Sequence, residues 1–118
     1  MYEKMYKLDE VLEFFKIELS MVNDDRFSEL YNMISNPHLR VNDNDKQWVA
    51  YVTQDSENKT VEDAMKAILD VNAIDWILTE EKKVKEAIKT TGNLFINNGI
   101  KNKPRIPFYI MVLDEMVD

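Results

Sequence analysis

The chain has 118 residues and a net charge of −7, and 45% of its residues are hydrophobic and 31% charged. This length suits one domain, and this composition is typical of a globular protein rather than a disordered one. There is no cysteine, which excludes disulfides and thiolate metal sites. We therefore expect a single domain over residues 1–118 that folds around an apolar core.

The charge is unevenly distributed along the chain. Residues 1–81 carry 8 basic and 18 acidic side chains, a net charge of −10, whereas residues 82–105 carry 7 basic and one acidic, a net charge of +6. A mostly acidic body repels nucleic acid and attracts basic protein surfaces. The longest apolar run, residues 108–113, is far shorter than the roughly 20 residues that cross a bilayer. We expect a soluble cytoplasmic protein that does not bind membranes and does not bind nucleic acid directly.

Two glycines and three prolines leave few turn signals, which favours helices over the many tight turns of an all-β fold. The sequence therefore predicts a mostly or all α fold, a compact single-domain bundle of about five to six helices. Two segments, residues 48–52 and 108–113, are also compatible with short strands because of their β-branched and aromatic side chains.

The first predicted helix spans residues 2–20. Its main apolar stripe, with steps of three and four residues, consists of Met5, Leu8, Leu12, Phe15 and Leu19. At about 100° per residue, a second apolar group falls toward the other side. That group consists of Tyr2, Tyr6, Phe14 and Ile17. Two interpretations stay open: a central helix that is covered on two sides, or a second face that binds a partner or another copy of the chain as a homo-oligomer.

The next elements show capping signals. Asn23 or Asp24 can cap a second helix, which Pro37 ends because the residue before a proline avoids helical angles. For residues 45–55 we favour a helix, since Asn44 with Gln47 resembles a capping box.

Three more helices complete the predicted bundle. Thr60 with Asp63 opens a helix that continues to about residue 70. Thr79 caps a helix over residues 80–97, which Asn98 and Gly99 stop. For residues 108–117 we favour a final helix with Pro107 at its first position.

The sequence offers little catalytic or ligand-binding chemistry. His38 is the only histidine, and the two glycines are too few for a phosphate-cradling loop. Zinc would find one ligand, and the acidic and amide residues 42–45 lack the glycine and terminal glutamate of a calcium loop. We expect no catalytic residue, no cofactor and no metal site, and hence a protein that is not an enzyme.

The basic segment has two interpretations. Glu81 precedes Lys85 by four residues, an order that favours an ion pair on a solvated helix face. The basic side chains without such a pairing form a candidate patch for phosphates or an acidic protein surface, namely Lys89, Lys101, Lys103 and Arg105.

Residues 48–54 and 60–70 outline a helix-turn-helix. However, the intervening turn is longer than the usual three to four residues. The exposed side of the second helix would consist of Glu62, Asp63, Lys66 and Asp70. Such a face would be repelled by phosphates and carries no side chain suited to reading bases. These acidic side chains are better suited to mimicking the phosphates of DNA than to binding DNA.

The leading functional hypothesis is a non-enzymatic acidic protein that binds another protein, such as a basic nucleic-acid-binding protein. It would act as an inhibitor, a nucleic-acid mimic or an assembly factor, in the manner of a phage or mobile-element accessory protein. The alternative is a helix-turn-helix transcriptional regulator that binds DNA through residues 48–70 and the basic segment 82–105.

Overall fold

The computed structural model describes residues 7–36, 48–49, 55–73, 81–100 and 103–117. The helices in these ranges are α1 (Leu8–Glu18), α2 (Asp24–Ile34), α3 (Asp55–Val71), α4 (Glu81–Asn97) and α5 (Arg105–Met116). Two short strands, β1 (Trp48–Val49) and β2 (Lys103–Pro104), pair antiparallel with Trp48 opposite Pro104. The prediction of a compact, mostly α bundle of about five helices is confirmed.

The last helix, α5, lies at the centre of the bundle and contacts each of the other four helices. All its residues are buried except Asp114 and Glu115. A helix that is apolar all round has to be covered all round, and this explains why the apolar run at residues 108–113 resembles a buried strand in sequence. The helical interpretation of this segment is confirmed, but the helix begins at Arg105, so Pro107 is its third residue and not its first as predicted. The central helix is α5, so the interpretation of the first helix as central is wrong.

In the segment at residues 45–55, for which the sequence favoured a helix, the structure describes only Trp48, Val49 and Asp55. The first two are not helical, and Asp55 is the first residue of α3. Trp48 and Val49 form β1, and their backbone pairs with β2 just before α5 begins. The aromatic and β-branched character of this dipeptide suits a strand, and the partner strand comes from 55 residues further along, beyond the reach of local capping signals. Residues 50–54 lie outside the described part of the chain.

The ends of α2 and α4 agree with the sequence signals. The Arg26 backbone N–H donates to Asn23 Oδ1 at 3.4 Å, so Asn23 is the N-cap of α2. At the end of α4, Gly99 has a φ of 75°, and the Ile100 N–H donates to the Phe95 carbonyl at 3.0 Å. This is the left-handed glycine cap that the Asn-Gly pair predicts.

The start of α3 differs from the prediction. The helix begins at Asp55 rather than at Thr60, which lies inside it. The local sequence is Asp-Ser-Glu, and acidic residue types are favoured in a first helical turn because of the helix dipole. The cap-like pair of Thr60 with Asp63 is therefore a pair of residues one turn apart within α3.

Asparagine side chains join the carboxyl ends of α2 and α3. The Asn72 amide donates to the Met33 carbonyl at 2.9 Å and to the Ile68 carbonyl at 2.8 Å. In return, the Asn36 amide donates to the Val71 carbonyl at 3.3 Å. The last carbonyls of both helices thus obtain donors that the helices cannot supply themselves.

We predict that the two left-handed positions after α3 and α4 respond oppositely to substitution. Gly99→Ala should lower the free energy of unfolding by about 1 kcal/mol through backbone strain alone, since no atom lies within 4 Å of the added Cβ. Ala73, with a φ of 61°, already bears that strain. Ala73→Gly should therefore raise the free energy of unfolding by up to about 1 kcal/mol. Urea denaturation measures both values, and a shift of the two midpoints in the same direction would contradict the strain argument.

A second prediction concerns Thr91 on the inner face of α4. Its side chain is 1% exposed, and its hydroxyl has no hydrogen-bond partner in the described structure. Thr91→Val replaces the hydroxyl with a methyl group of similar size and should stabilise the fold by about 1 kcal/mol. Thr90→Val is the matched control, because Thr90 is exposed and its replacement should change stability by less than about 0.5 kcal/mol. Equal effects of the two valines in thermal unfolding would refute this explanation.

Candidate protein-binding surface on α1

The first turn of α1 contains residues that stabilise the start of a helix. Lys7 is the N-cap, and its backbone N–H donates to Glu10 Oε1 at 3.3 Å. Asp9 and Glu10 occupy the first turn, where the helix dipole favours acidic side chains. These local interactions stabilise the start of α1.

Two faces of α1 have different surroundings. The inner face buries Val11, Phe15 and Leu19 in the core. On the outer face, Phe14 is partly buried and Ile17 is 64% exposed. Two members of the predicted second apolar group therefore lie on this side of the helix: Phe14 is partly covered by the bundle, and Ile17 is largely exposed.

Phe14 is held in place by aromatic contacts. Its ring centroid lies 5.8 Å from that of Phe15 and 5.8 Å from that of Phe95 on α4. Edge-to-face and tilted aromatic pairs at such distances are stabilising beyond their buried area. Phe14 thus connects the outer face of α1 to the core.

A shallow, open depression lies on this side of α1. We define the α1 outer face as the residues that line it, which are Glu10, Glu13, Phe14, Ile17 and Glu18. These positions follow the spacing i, i+3, i+4, i+7 and i+8, which places them along one side of a helix. The surface is an apolar centre with three carboxylates around it.

The carboxylates of the α1 outer face are largely uncompensated. Glu10 accepts the backbone N–H of Lys7. In the part of the chain that the structure describes, Glu13 and Glu18 form no ion pair. Lys16 lies on the same helix but points more than a quarter turn away from the centre of the face, at about 100° per residue. The depression therefore presents negative charge to solvent.

The four apolar residues that the sequence grouped on the first helix are only partly accounted for. Phe14 and Ile17 lie together, one turn apart, on the α1 outer face. Tyr2 and Tyr6 lie outside the described residues. The sequence reasoning did not single out the glutamates, although the i, i+3, i+4, i+7, i+8 spacing of positions 10 to 18 is a signal that could have found them.

The second predicted acidic group lies on α3. Asp63 and Asp70 are exposed, whereas Glu62 is partly buried. Lys59 Nζ lies 3.7 Å from Asp63 Oδ1, so part of the negative charge is compensated on the helix itself. The exposed acidic side of this helix that the sequence predicted is present, but it includes no exposed apolar side chain among the large hydrophobic residues described.

Arg105, a member of the predicted basic patch, does not lie on the surface. Arg105 is 1% exposed, and its Nη1 donates to the Tyr109 hydroxyl at 2.7 Å. Its guanidinium carbon also lies 5.5 Å from the centroid of the Tyr109 ring. The interpretation of Arg105 as a solvent-exposed basic residue is wrong, because it begins the buried helix α5.

The remaining members of that patch are less fully described. Lys89 is exposed on α4. Lys103 is described only through its backbone, which pairs with Val49 in the two-stranded ladder. Lys101 lies outside the described residues, so the basic patch as a whole stays a prediction.

The helix-turn-helix outline is altered by the start of α3. The residues that would form the end of its turn, from Asp55 onward, are helical, and Trp48 and Val49 are in a strand rather than in a first helix. Both changes remove the geometry that this motif requires.

Comparison with other proteins yields no relative: no family model, no curated protein and no solved structure matches the chain. In the described residues, no three potential metal-ligating side chains cluster. No described helix combines the length and the apolar character needed to span a membrane.

We predict that Phe14 and Ile17 differ in their contribution to folding. Phe14→Ala removes contacts with two other phenylalanine rings and should lower the free energy of unfolding by about 2 kcal/mol. Ile17→Ala should change it by less than about 0.5 kcal/mol, since the side chain is mostly in solvent. Chemical denaturation followed by circular dichroism compares the two variants. A large loss of stability in Ile17→Ala would show that this side chain belongs to the core.

Proposed function

We propose that this protein has no enzymatic activity and acts by binding another protein through the α1 outer face. The observation that carries the proposal is the 64% exposure of Ile17 among three glutamates. Burying an isoleucine side chain at an interface contributes up to about 2 kcal/mol. Around it, the carboxylates favour a partner with a basic surface and accelerate its association.

The residue inventory supports binding over catalysis. The chain has one histidine and no cysteine, and these are the side chains most readily used near neutral pH as bases or nucleophiles. The side chains on the α1 outer face are carboxylates and hydrocarbons, which suit recognition of a surface.

Charge favours a basic partner over a second copy of the same face. A symmetric dimer through the α1 outer face would bring Glu10, Glu13 and Glu18 of one copy close to the same residues of the other. Like charges brought together across an interface are destabilising. We therefore favour the inhibitor or nucleic-acid-mimic form of the hypothesis, in which the partner is a basic protein that itself binds nucleic acid, over assembly through α1.

The test compares two acidic surfaces of the same protein. The triple variant Glu10→Gln, Glu13→Gln, Glu18→Gln removes three negative charges from the α1 outer face, and glutamine retains helix propensity and can still serve the capping box. The matched control, Glu62→Gln, Asp63→Asn, Asp70→Asn, removes three charges from α3. A partner isolated from host lysate with the wild-type protein is purified, and its dissociation constant for each variant is measured by calorimetry.

We expect the α1 triple variant to bind this partner roughly tenfold or more weakly at low salt. The α3 control should bind within about threefold of wild type. Circular dichroism verifies that both variants are folded. Equal affinities of the two variants would contradict the assignment to α1, and stronger loss in the α3 control would move the interface to that helix.

A further inference from the structure

We infer that the segment bound by the α1 outer face is a cationic amphipathic helix, whose apolar side chains cover Phe14 and Ile17 while its Lys or Arg side chains reach the surrounding glutamates. This inference rests on the proposed function and specifies the chemistry of the partner.

The arrangement of the α1 outer face gives the dimensions of the segment. At about 100° per residue, Glu13 and Glu18 lie on opposite sides of the apolar centre, each about 70° away from it. Glu10 lies in line with the centre, toward the start of the helix. From Glu10 to Glu18 the face is about 12 Å long, at 1.5 Å per residue. A partner helix of two to three turns covers this length.

Backbone hydrogen bonding favours a helical segment over an extended one. The backbone groups in the middle of α1 are paired within the helix, so its outer face offers an extended peptide no ladder of donors and acceptors. An extended segment would place its own N–H and C=O groups against Phe14 and Ile17 without partners. A helical segment satisfies these groups internally and packs its side-chain ridges against those of α1.

The negative charge of the α1 outer face favours a partner helix with a positive net charge. Three carboxylates surround two apolar side chains, and among the residues that the structure describes no basic side chain lines the depression. A neutral amphipathic helix would bury the apolar centre but leave the glutamates facing a surface that cannot pair with them. A helix with basic residues on both sides of an apolar stripe matches both features.

Among the helices that the structure describes, α4 is basic and exposed, so it has to be considered as an alternative to a separate partner. On α4, Lys85, Lys89 and Ile96 lie within about 40° of one another around the helix, at about 100° per residue. Both lysines are exposed, and Ile96 is 47% exposed. A head-to-tail contact of this face with the α1 outer face of another copy would form an open or ring-like assembly. Glu86 is also exposed on α4 and lowers its complementarity to the glutamates, so we assign the surface to a separate cationic helix.

The experiment uses two synthetic peptides of identical composition and charge. The first is a 16-residue lysine–leucine helix with its leucines on one stripe and lysines on both sides. The second contains the same residues in an order that spreads the leucines around the helix. Calorimetry measures the affinity of each peptide for the full-length wild-type protein, for Ile17→Ser and for the two triple variants described above.

We expect the amphipathic peptide to bind at least tenfold more tightly than the rearranged one. Both Ile17→Ser and the α1 triple variant should lose most of this preference, and the α3 control should retain it. Equal binding of the two peptides, or a preference that survives Ile17→Ser, would overturn the inference by showing general attraction to an acidic protein.

Light scattering of the wild-type protein and of Lys85→Glu, Lys89→Glu tests whether a second copy of the chain, through its α4, occupies the α1 outer face instead. A monomeric wild type supports the inference. A wild-type assembly that dissociates in the lysine variant would overturn it in favour of a second copy. The proposed function is judged separately: if the purified partner depends on the α1 outer face while the peptides do not discriminate, the function stands and only the helical cationic partner is refuted.

Discussion

The fold depends on covering a helix that has no polar side. From Arg105 to Leu113, every residue of α5 is buried, and each of the other four helices supplies part of the cover. Two charged side chains of α5 have hydrogen-bond partners. Arg105 donates to the Tyr109 hydroxyl, and Asp114 accepts a hydrogen bond from Arg26 Nε at 3.0 Å. Arg26 also donates to the Val117 carbonyl. It thereby ties the start of α2 to the end of the central helix.

The five phenylalanines of the chain form a series of ring contacts that extends from α5 to the surface of α1. Phe108 of α5 lies edge-to-face with Phe95, at 5.4 Å between ring centroids, and Phe95 contacts Phe14. On the other side, Phe15 stacks on Phe27 of α2 at 4.2 Å. The outer face of α1 therefore rests on a continuous aromatic cluster that reaches the central helix.

Sequence patterns predicted the elements whose signals are local. Asn23 and the Asn98-Gly99 pair marked the ends of α2 and α4 because capping depends on a few adjacent residues. Sequence patterns gave wrong predictions where residues distant in the chain determine the structure. The strand at Trp48 and Val49 exists through pairing with residues about 55 positions later. Arg105 was assigned to the surface by its charge, whereas its place at the start of the most buried helix, next to Tyr109, is a tertiary effect.

The candidate surface was partly predictable for a related reason. Helical periodicity separates Phe14 and Ile17 from the buried stripe, but it cannot tell which of two apolar faces the bundle covers. In the structure, α1 buries Val11, Phe15 and Leu19 in the core. Three further apolar side chains of α1 are partly buried and pack against the core, namely Leu8, Leu12 and Phe14. Ile17 is 64% exposed, and under our proposal it is the apolar side chain that the partner covers. The two apolar residues of the α1 outer face thus differ: Phe14 packs against the core, whereas Ile17 is mostly in solvent. A substitution at Ile17 therefore tests the proposed recognition with little expected effect on the fold.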